Sequence, residues 1–348
     1  TQCTFGLDFE ESWDINITEN KVSNCVWGIW LGDCNGFVLR KNEIHDNDCN
    51  FAIGYGYLND IDTSNTVDGK PIYYLVNQKN QVITGPSVGY VGLVNCLNIT
   101  VRDLNLTRNG EGILLANTSY CTLKSNLCVE NVDGICLTFN STNNEIYENT
   151  LMLNGRRPTY GSGMYVGGMC GGNKIYHNIF LDNRQPVDCV ENYTNVWDDG
   201  YPSGGNYWSN YTDVDRYSGQ HQDETGSDGI WDHPYVINAN NTDNYPLVNR
   251  PGATSTFDVP WIGRNYSVPV FADGIITGFS FNGSLRMIAF KVTGGTLCNT
   301  TIPKALLDGA FTLFINDQPE ACVLTCDQTC ISAFAKHNLT CLLYTSDA

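Results

Sequence analysis

The sequence predicts an all-β protein whose first part, residues 1–190, forms a parallel β-helix. Three observations support this fold class: a repeat of about 22 residues, three short apolar segments in each repeat, and abundant glycine with few helix-forming stretches. Strands of two or three residues are too short to be buried alone, and parallel strands cannot be joined by hairpins. Coils stacked roughly 4.8 Å apart give every inward side chain a partner above and below.

Each repeat contains a four-residue box, usually starting with glycine, whose second and fourth residues are apolar. An asparagine follows most box starts by 14 or 15 residues. Because asparagine tolerates the left-handed turn conformation and stacked amides bond to one another, we expect these residues to form a ladder. The boxes start at Gly6, Gly28, Asn50, Tyr90, Gly112, Gly134 and Gly163, and the ladder positions are Asn20, Asn42, Leu104, Asn126, Asn149 and Asn178, with Leu104 as the exception.

Two interruptions of the repeat predict insertions. The step from Asn50 to Tyr90 exceeds 22 residues by 18, which predicts an insertion near residues 57–81. A smaller bulge is predicted at 154–161. Loops added to a solenoid often carry function, so the side that bears them is a candidate surface.

The charge of the chain excludes some partners. Acidic residues outnumber basic ones 37 to 19, for a formal net charge of −18. A nucleic acid or an anionic membrane surface would be repelled, whereas cations and neutral sugars remain suitable partners. No apolar run approaches the roughly 20 residues that a transmembrane helix needs.

Sequons and cysteines together indicate an extracellular or cell-surface location. Fifteen cysteines beside five histidines fit disulfides in an oxidising compartment better than a metal cluster. Twelve N-x-S/T sequons are candidate glycosylation sites. They are Asn16, Asn98, Asn105, Asn117, Asn140, Asn192, Asn210, Asn240, Asn265, Asn282, Asn299 and Asn338.

The repeat, together with segments 204–211, 228–235 and 243–247, resembles the right-handed parallel β-helix family typified by NosD and the related repeats of carbohydrate-binding proteins and sugar hydrolases. The resemblance covers about residues 1–250 and implies that 191–250 forms an aromatic and Asp-rich capping segment. The resemblance also suggests a copper-related function, because NosD is associated with copper-site maturation. Soft-metal sites need clustered Met, His or Cys donors, and the four methionines and five histidines are scattered, so we do not expect a copper function.

The remaining chain has a different pattern. Alternating apolar runs separated by turn residues predict a small β-sandwich over residues 251–340, and 302–308 suits one helical turn. The segment resembles the immunoglobulin-like modules that follow the β-helix in archaeal surface proteins. Residues 341–348 resemble the translation of a sequencing adapter, so we expect them to carry no function.

No catalytic residue is assigned from the sequence. A pectin-degrading hydrolase needs clustered aspartates to protonate the leaving oxygen and activate water, and a lyase needs a basic residue beside a calcium cluster. The candidates lack the signatures of either enzyme, and we interpret the acids as turn residues. The acids are Asp133, Asp182 and Asp188, and the bases are Arg156, Arg157 and Arg184.

One loop-rich segment is a candidate calcium site. Its aspartates lie among glycine and polar residues, and calcium takes six to eight oxygen ligands in proteins. The alternative is that these are solvated turn aspartates. The candidates are Asp213, Asp215, Asp223, Asp228 and Asp232. Zinc at Cys322, Cys326 and Cys330 is less expected than disulfides.

The same segment is rich in aromatic residues that suit either of two roles. Flat rings can stack on sugars while nearby Asn and Asp residues bind the hydroxyls. They can instead cap the open end of the β-helix, which we favour for most of them. The sugar-binding candidates are Trp197, Tyr207, Trp208, Tyr211 and Trp231.

Three functions remain open. The leading hypothesis is an exported, glycosylated β-helix protein that binds a glycan or assembles on the cell surface without catalysis. The alternative is a polysaccharide lyase or glycoside hydrolase acting on the β-helix face. The third is a structural subunit whose partners are other copies of itself or other surface proteins.

Overall fold

The computed structural model shows strands and turns in two units, residues Thr1–Val248 and Asn249–Ala348. The domain boundary predicted from the sequence lies at residues 250/251. In the described residues, no helix is long and apolar enough to cross a membrane. The structure describes residues 3–85, 87–156, 160–190, 193–250, 253–272, 275–284, 287–293, 297–301, 306, 311–315, 318–320, 323–324, 330–334 and 339–345.

The first unit is a right-handed parallel β-helix that begins with three coils, here called the first stack. Their strands form three parallel faces, β1-β4-β7, β2-β5-β8 and β3-β6-β9. Pairing residues lie 22 apart, as Trp27 and Cys49 do, so the predicted repeat is confirmed. The strands are β1 (Cys3–Glu10), β2 (Asn16–Thr18), β3 (Lys21–Ser23), β4 (Cys25–Gly32), β5 (Val38–Arg40), β6 (Glu43–His45), β7 (Cys49–Gly54), β8 (Asp60–Ile61) and β9 (Thr66–Val67).

The next coils form a second stack with its own three faces. Their strand orders are β10-β12-β15-β18-β21-β24, β11-β13-β16-β19-β22 and β14-β17-β20-β23-β25. The strands are β10 (Lys70–Val76), β11 (Val82–Thr84), β12 (Tyr90–Val94), β13 (Thr100–Arg102), β14 (Asn105–Thr107), β15 (Glu111–Ala116), β16 (Thr122–Lys124), β17 (Leu127–Val129), β18 (Asp133–Thr138), β19 (Glu145–Tyr147), β20 (Thr150–Met152), β21 (Met164–Val166), β22 (Lys174–Tyr176), β23 (Ile179–Leu181), β24 (Val187–Cys189) and β25 (Tyr207–Trp208).

A two-residue turn joins the stacks where the sequence suggested an insertion. Asp68 and Gly69 both have positive φ, and the turn pairs β9 with β10 antiparallel. The faces β3-β6-β9 and β10-β12-β15-β18-β21-β24 thereby become one nine-stranded sheet. Segment 57–81 thus supplies strands β8 to β10 and leads to β11 rather than looping out. Its 18 extra residues complete a short coil, because Ile72 pairs with Tyr90.

The first stack packs against the outer face of the second. Phe51 meets Tyr90 edge to face, with ring centroids 5.0 Å apart. The backbone N–H of Asn50 donates to the Arg108 carbonyl at 2.6 Å, and that of Gly110 donates to the Phe51 carbonyl at 2.9 Å. Side chains of both stacks therefore share one buried cluster.

The predicted asparagine ladder is confirmed, and it is buried. The Asn126 side-chain amide donates to Asn149 Oδ1 at 2.9 Å, and that of Asn149 donates to Asn178 Oδ1 at 3.0 Å. At the exception, the backbone N–H of Leu104 still donates to Asn126 Oδ1. A second ladder, five residues further along each coil, was not recognised in the sequence. It comprises Asn109, Asn131, Asn154 and Asn183.

Seven described cysteines of the β-helix are buried with free thiols instead of forming the expected disulfides, and an eighth, Cys3, is exposed. Cys128, for example, lies between Leu106 and Leu151 in one inward column. Burial raises the pKa of its thiol to about 12, which makes it unreactive. Among the described residues, free thiols are carried by Cys3, Cys25, Cys34, Cys49, Cys96, Cys121, Cys128 and Cys136.

A capping segment with two small hairpins ends the first unit. Trp208 stacks between Phe180 and Tyr235, with centroids 4.3 Å from each, and its Nε1–H donates to Asp243 at 2.8 Å. The ladder ends on Asn206, whose backbone N–H also donates to Asp243. The strands are β26 (Tyr217–Ser218), β27 (Glu224–Thr225), β28 (Tyr235–Asn238) and β29 (Asn241–Asp243).

The second unit contains two five-stranded antiparallel sheets, ordered β30-β31-β34-β38-β37 and β32-β33-β39-β35-β36. The immunoglobulin-like assignment stays a prediction. The predicted helical turn lies, apart from Leu306, outside the described residues. The adapter-like tail contributes to β39, which pairs with β33 and β35. The strands are β30 (Ala253–Trp261), β31 (Arg264–Ala272), β32 (Ile275–Asn282), β33 (Met287–Thr293), β34 (Leu297–Thr301), β35 (Phe311–Ile315), β36 (Gln318–Glu320), β37 (Val323–Leu324), β38 (Cys330–Phe334) and β39 (Leu339–Thr345).

Candidate functional site

A cleft of about 400 Å³ lies where the two stacks meet, and we call it the elbow cleft. Trp27, Trp30 and Tyr55 of the first stack line one side. Glu111 and Asp133 of the second stack are among the residues that line the other. The cleft exists because the chain reverses at the β9–β10 turn and sets one stack against the side of the other.

Aromatic rings form one wall of the elbow cleft. Trp27 meets Trp30 edge to face at 5.3 Å and stacks with Tyr160 at 5.9 Å. Trp27 is buried and Trp30 half-buried, whereas Tyr160 is 49% exposed and Tyr55 is 58% exposed. These rings present flat apolar surfaces beside polar groups, which is the arrangement that suits a sugar ring.

Glu111, the first residue of β15, is a buried acid in this cleft. Its Oε2 accepts hydrogen bonds from the Tyr90 hydroxyl at 2.9 Å and from the backbone N–H of Ile53 at 3.5 Å. Burial raises the pKa of Glu111 to about 8; the Tyr90 hydrogen bond opposes this rise, and the charge of Asp133 adds to it. Glu111 therefore carries its proton at neutral pH.

Asp133 occupies the equivalent position in the next coil. It is the register partner of Glu111 across β15 and β18. Its Oδ1 accepts from both the backbone N–H and the hydroxyl of Ser162 at 2.8 Å. Burial raises the pKa of Asp133 to about 6, and the charge of Asp188 contributes in the same direction. Asp133 is thus mainly ionised at pH 7.

The far end of the elbow cleft holds a third carboxylate and a cation. Asp188, in β24, pairs in register with Tyr165, and both line the cleft. Arg184 is exposed and is the only lysine or arginine among the described lining residues. Acidic side chains therefore outnumber basic ones in the cleft.

A second cleft, of about 530 Å³, adjoins the first and shares Tyr55 and Tyr57 with it. Its floor includes turn asparagines, among them Asn95, which accepts a hydrogen bond from the Asn117 side chain at 2.8 Å. Phe139, which lines it, is 50% exposed. The two clefts therefore meet at Tyr55 and Tyr57, and both aromatic and amide side chains line the second one.

Two of the five aromatic residues proposed from sequence as sugar binders are buried in the cap. Trp197 and Trp208 are 0% and 2% exposed, and their ring N–H groups donate to Asn241 and Asp243. They are unable to stack on a sugar, and that part of the expectation is wrong. The two rings are buried because the last coil of the β-helix needs apolar side chains to cover its open end. The half-buried residues Tyr207, Tyr211 and Trp231 stay predictions.

The aspartates proposed for calcium bind separate parts of their loop. Asp213 contacts the His233 ring at 2.7 Å, and Asp215 accepts from the Ser227 hydroxyl at 2.7 Å. Asp232 accepts from the backbone of Arg216, Asp228 accepts from Gln222, and Asp223 is exposed. Within the described ranges, no group of three or more His, Cys, Asp or Glu side chains is arranged to hold a metal ion. Calcium remains a prediction.

The structure brings only some of the catalytic candidates considered from sequence into the elbow cleft. Asp133 and Asp188 line the elbow cleft, whereas Asp182 is a turn residue with positive φ whose carbonyl accepts from Arg156. Arg157, Cys322 and Cys326 lie outside the described residues, as does the Cys330 side chain. Glu111 was missed, although an acid directly before the box glycine in two successive repeats was visible.

The described sequons all lie at the surface, in contrast to the ladder asparagines. Asn192 and Asn338 lie outside the described residues, and so does the side chain of Asn299. Asn117 and Asn140 line the second cleft. The exposed sequon asparagines are Asn16, Asn98, Asn105, Asn117, Asn140, Asn210, Asn240, Asn265 and Asn282.

Among solved structures, the chain has a low similarity to the crystal structure of the Dettilon tailspike protein (gp208). The two chains share 13% sequence identity with a TM-score of 0.25, and the match covers 94% of this chain and 72% of that one. A likeness this weak carries no functional argument. No curated protein sequence matches the chain.

The sequence model of the family described as "Periplasmic copper-binding protein (NosD)" matches residues 2–161 and 156–213. Copper prefers clustered Met, His or Cys donors. In the described part of the chain, the histidines make separate contacts, as His45 does with Asp46 and His177 with Ser203, so the residues do not fit a copper site. The matched residues nevertheless span both stacks and more than half of the sequence. The chain therefore belongs to the NosD family.

Proposed function

We propose that the protein is exported and binds a neutral glycan in the elbow cleft. The observation that carries this proposal is the pairing of an aromatic wall with carboxyl groups in one cavity between the stacks. Sugar rings stack their C–H faces on Trp and Tyr, and carboxylates accept hydrogen bonds from sugar hydroxyls.

The charge of the cleft supports a neutral ligand. Glu111 is protonated at neutral pH, but Asp133 and Asp188 still outnumber Arg184, the one cation among the described lining residues, and the whole chain carries a formal charge of −18. An acidic polysaccharide would bring its carboxylates or sulfates close to these side chains, at a cost of several kcal/mol. Neutral sugars avoid that repulsion.

The proposed location rests on family membership and sequons. The matching family is described as periplasmic, and each sequon asparagine whose side chain is described is exposed. Assembly with other copies or with other surface proteins is the competing function. Size-exclusion chromatography with light scattering separates the two, because a monomer that binds a glycan excludes obligate self-assembly.

Glycan binding can be tested by array screening followed by calorimetry with the strongest neutral hit. Trp30→Ala removes a half-buried ring of the cleft wall and should weaken binding at least about tenfold, or roughly 1.4 kcal/mol. Trp13→Ala is the matched control, because Trp13 is a first-stack tryptophan that is 60% exposed and does not line the cleft. Equal affinities of the two variants, or binding of acidic glycans alone, would contradict the proposal.

A further inference from the structure

Two carboxyl groups face the elbow cleft from neighbouring coils and are drawn in opposite directions along the stack. Glu111 is bound by Tyr90 of the preceding coil, whereas Asp133 is bound by Ser162 of the following coil. Register partners in adjacent strands lie roughly 4.8 Å apart. These hydrogen bonds hold the carboxyl groups toward different coils, and inverting glycosidases need a separation of roughly 6.5–9.5 Å between their two acids to fit a sugar and a water molecule.

The surroundings of the two acids differ in a way that separates their roles. Glu111 sits deeper, against the first stack, and its pKa is raised to about 8 by burial. Asp133 accepts two hydrogen bonds from Ser162, and its pKa is raised only to about 6. Near pH 7 one group holds a proton while the other is ionised, which is the combination that acid–base catalysis requires.

We infer that the elbow cleft hydrolyses a glycosidic bond of the neutral glycan that it binds, with Glu111 as proton donor and Asp133 as general base. This inference rests on the proposed glycan binding. Glu111 gives its proton to the glycosidic oxygen as the bond from the anomeric carbon to that oxygen breaks. Asp133 takes a proton from water, whose oxygen bonds to the anomeric carbon. One product carries the new reducing end with inverted anomeric configuration, and the other is the leaving sugar, whose own anomeric centre is unchanged. Solvent then takes the proton from Asp133 and returns one to Glu111.

The cleft favours hydrolysis over the elimination that a lyase performs. Elimination requires a sugar carboxylate next to the abstracted proton, and a cation must neutralise that carboxylate. Here Asp133 and Asp188 both line the cleft, and Arg184, the one cation among its described lining residues, is exposed. Water is the only co-reactant that the hydrolytic step needs.

The experiment uses the full chain and the neutral polysaccharide that binds most tightly. Release of reducing ends is measured for the native protein, Glu111→Gln and Asp133→Asn. Each variant should lower kcat about 10²–10⁴-fold while changing the dissociation constant less than about threefold. Glu145→Gln is the matched control, because Glu145 also accepts a hydrogen bond from a tyrosine hydroxyl, that of Tyr176 at 2.9 Å, but does not line the cleft. It should retain native turnover.

The possible outcomes distinguish a failure of the catalytic inference from a failure of the proposed glycan binding. Tight binding without any release of reducing ends overturns the catalytic inference and leaves glycan binding standing. Absence of binding overturns both. Turnover that survives both substitutions, or that they reduce no more than Glu145→Gln does, overturns the residue assignment. NMR of the first product should show inversion, and retention of configuration would overturn the single displacement.

Discussion

Replacing Glu111 with glutamine should change how the stability of the protein depends on pH. Burial raises the pKa of Glu111 from 4.5 to about 8, so the folded state holds a proton that the unfolded chain releases. The stability contributed by this protonation is fully present below pH 4.5 and is lost as pH rises through about 8. Between pH 5 and pH 9 the loss amounts to roughly 4 kcal/mol.

Glutamine removes the ionisation but keeps an oxygen that accepts the Tyr90 hydroxyl. The variant should therefore lose roughly 4 kcal/mol less stability than the native protein between pH 5 and pH 9. The other titratable groups near this side chain are present in both proteins, so the difference between the two curves reports the ionisation of Glu111 together with its effect on the pKa of those groups. They are Cys49, Tyr57, Tyr74, Tyr90, Asp133, Cys136 and Tyr160.

Urea denaturation followed by circular dichroism at pH 5, 7 and 9 measures the effect. Glu145→Gln is again the control, because it removes a carboxyl group that is hydrogen-bonded to a tyrosine elsewhere in the second stack. Parallel curves for the native protein and Glu111→Gln would refute the reasoning, since they would mean that Glu111 ionises normally in the folded state.

Three further outcomes are expected. Asn149→Ala should destabilise the protein by about 3 kcal/mol in urea, because it removes the oxygen that accepts from the Asn126 backbone and side-chain N–H groups and the amide that donates to the Leu123 carbonyl. A loss below about 1 kcal/mol would contradict a cooperative ladder. Trp208→Ala should cost about 3–5 kcal/mol, whereas Trp231→Ala, at a half-buried ring, should cost much less, and equal losses would argue against the cap. If the Asp-rich loop holds calcium, adding calcium after chelation should raise Tm by several degrees, and an unchanged Tm would exclude a stabilising ion.

The repeat could be predicted because it depends only on contacts between neighbouring coils, whose equivalent residues have a regular spacing in the sequence. A box such as the one at Gly112 places two apolar residues inward, and an asparagine 14 residues later bonds to the next coil. Both signals recur, and both depend on residues that lie about one coil apart. Fold class and ladder therefore followed from periodicity alone.

The joint and the cleft could not be predicted in the same way. An 18-residue excess is compatible with a loop or with a short coil, and only the pairing of β9 with β10 decides between them. Glu111 is buried where the two stacks meet, and the backbone N–H that donates to it there belongs to Ile53, 58 residues earlier. The cap tryptophans could not be assigned from the sequence either, because a sugar-binding surface and a buried cap have the same aromatic composition. Only the burial of the rings in the structure distinguishes the two roles.

The two-residue turn at Asp68 and Gly69 has a consequence for how such proteins diverge. Within one stack a coil contacts only the coils next to it, so repeats that do not pack against the other stack can be duplicated or deleted without disturbing the junction. The Asp68 carboxylate binds both Arg108 and Asn50, which fastens the corner from both arms. Relatives can therefore differ widely in the number of repeats and still keep the same elbow cleft. The number of repeats is then a poor guide to whether two relatives bind the same ligand.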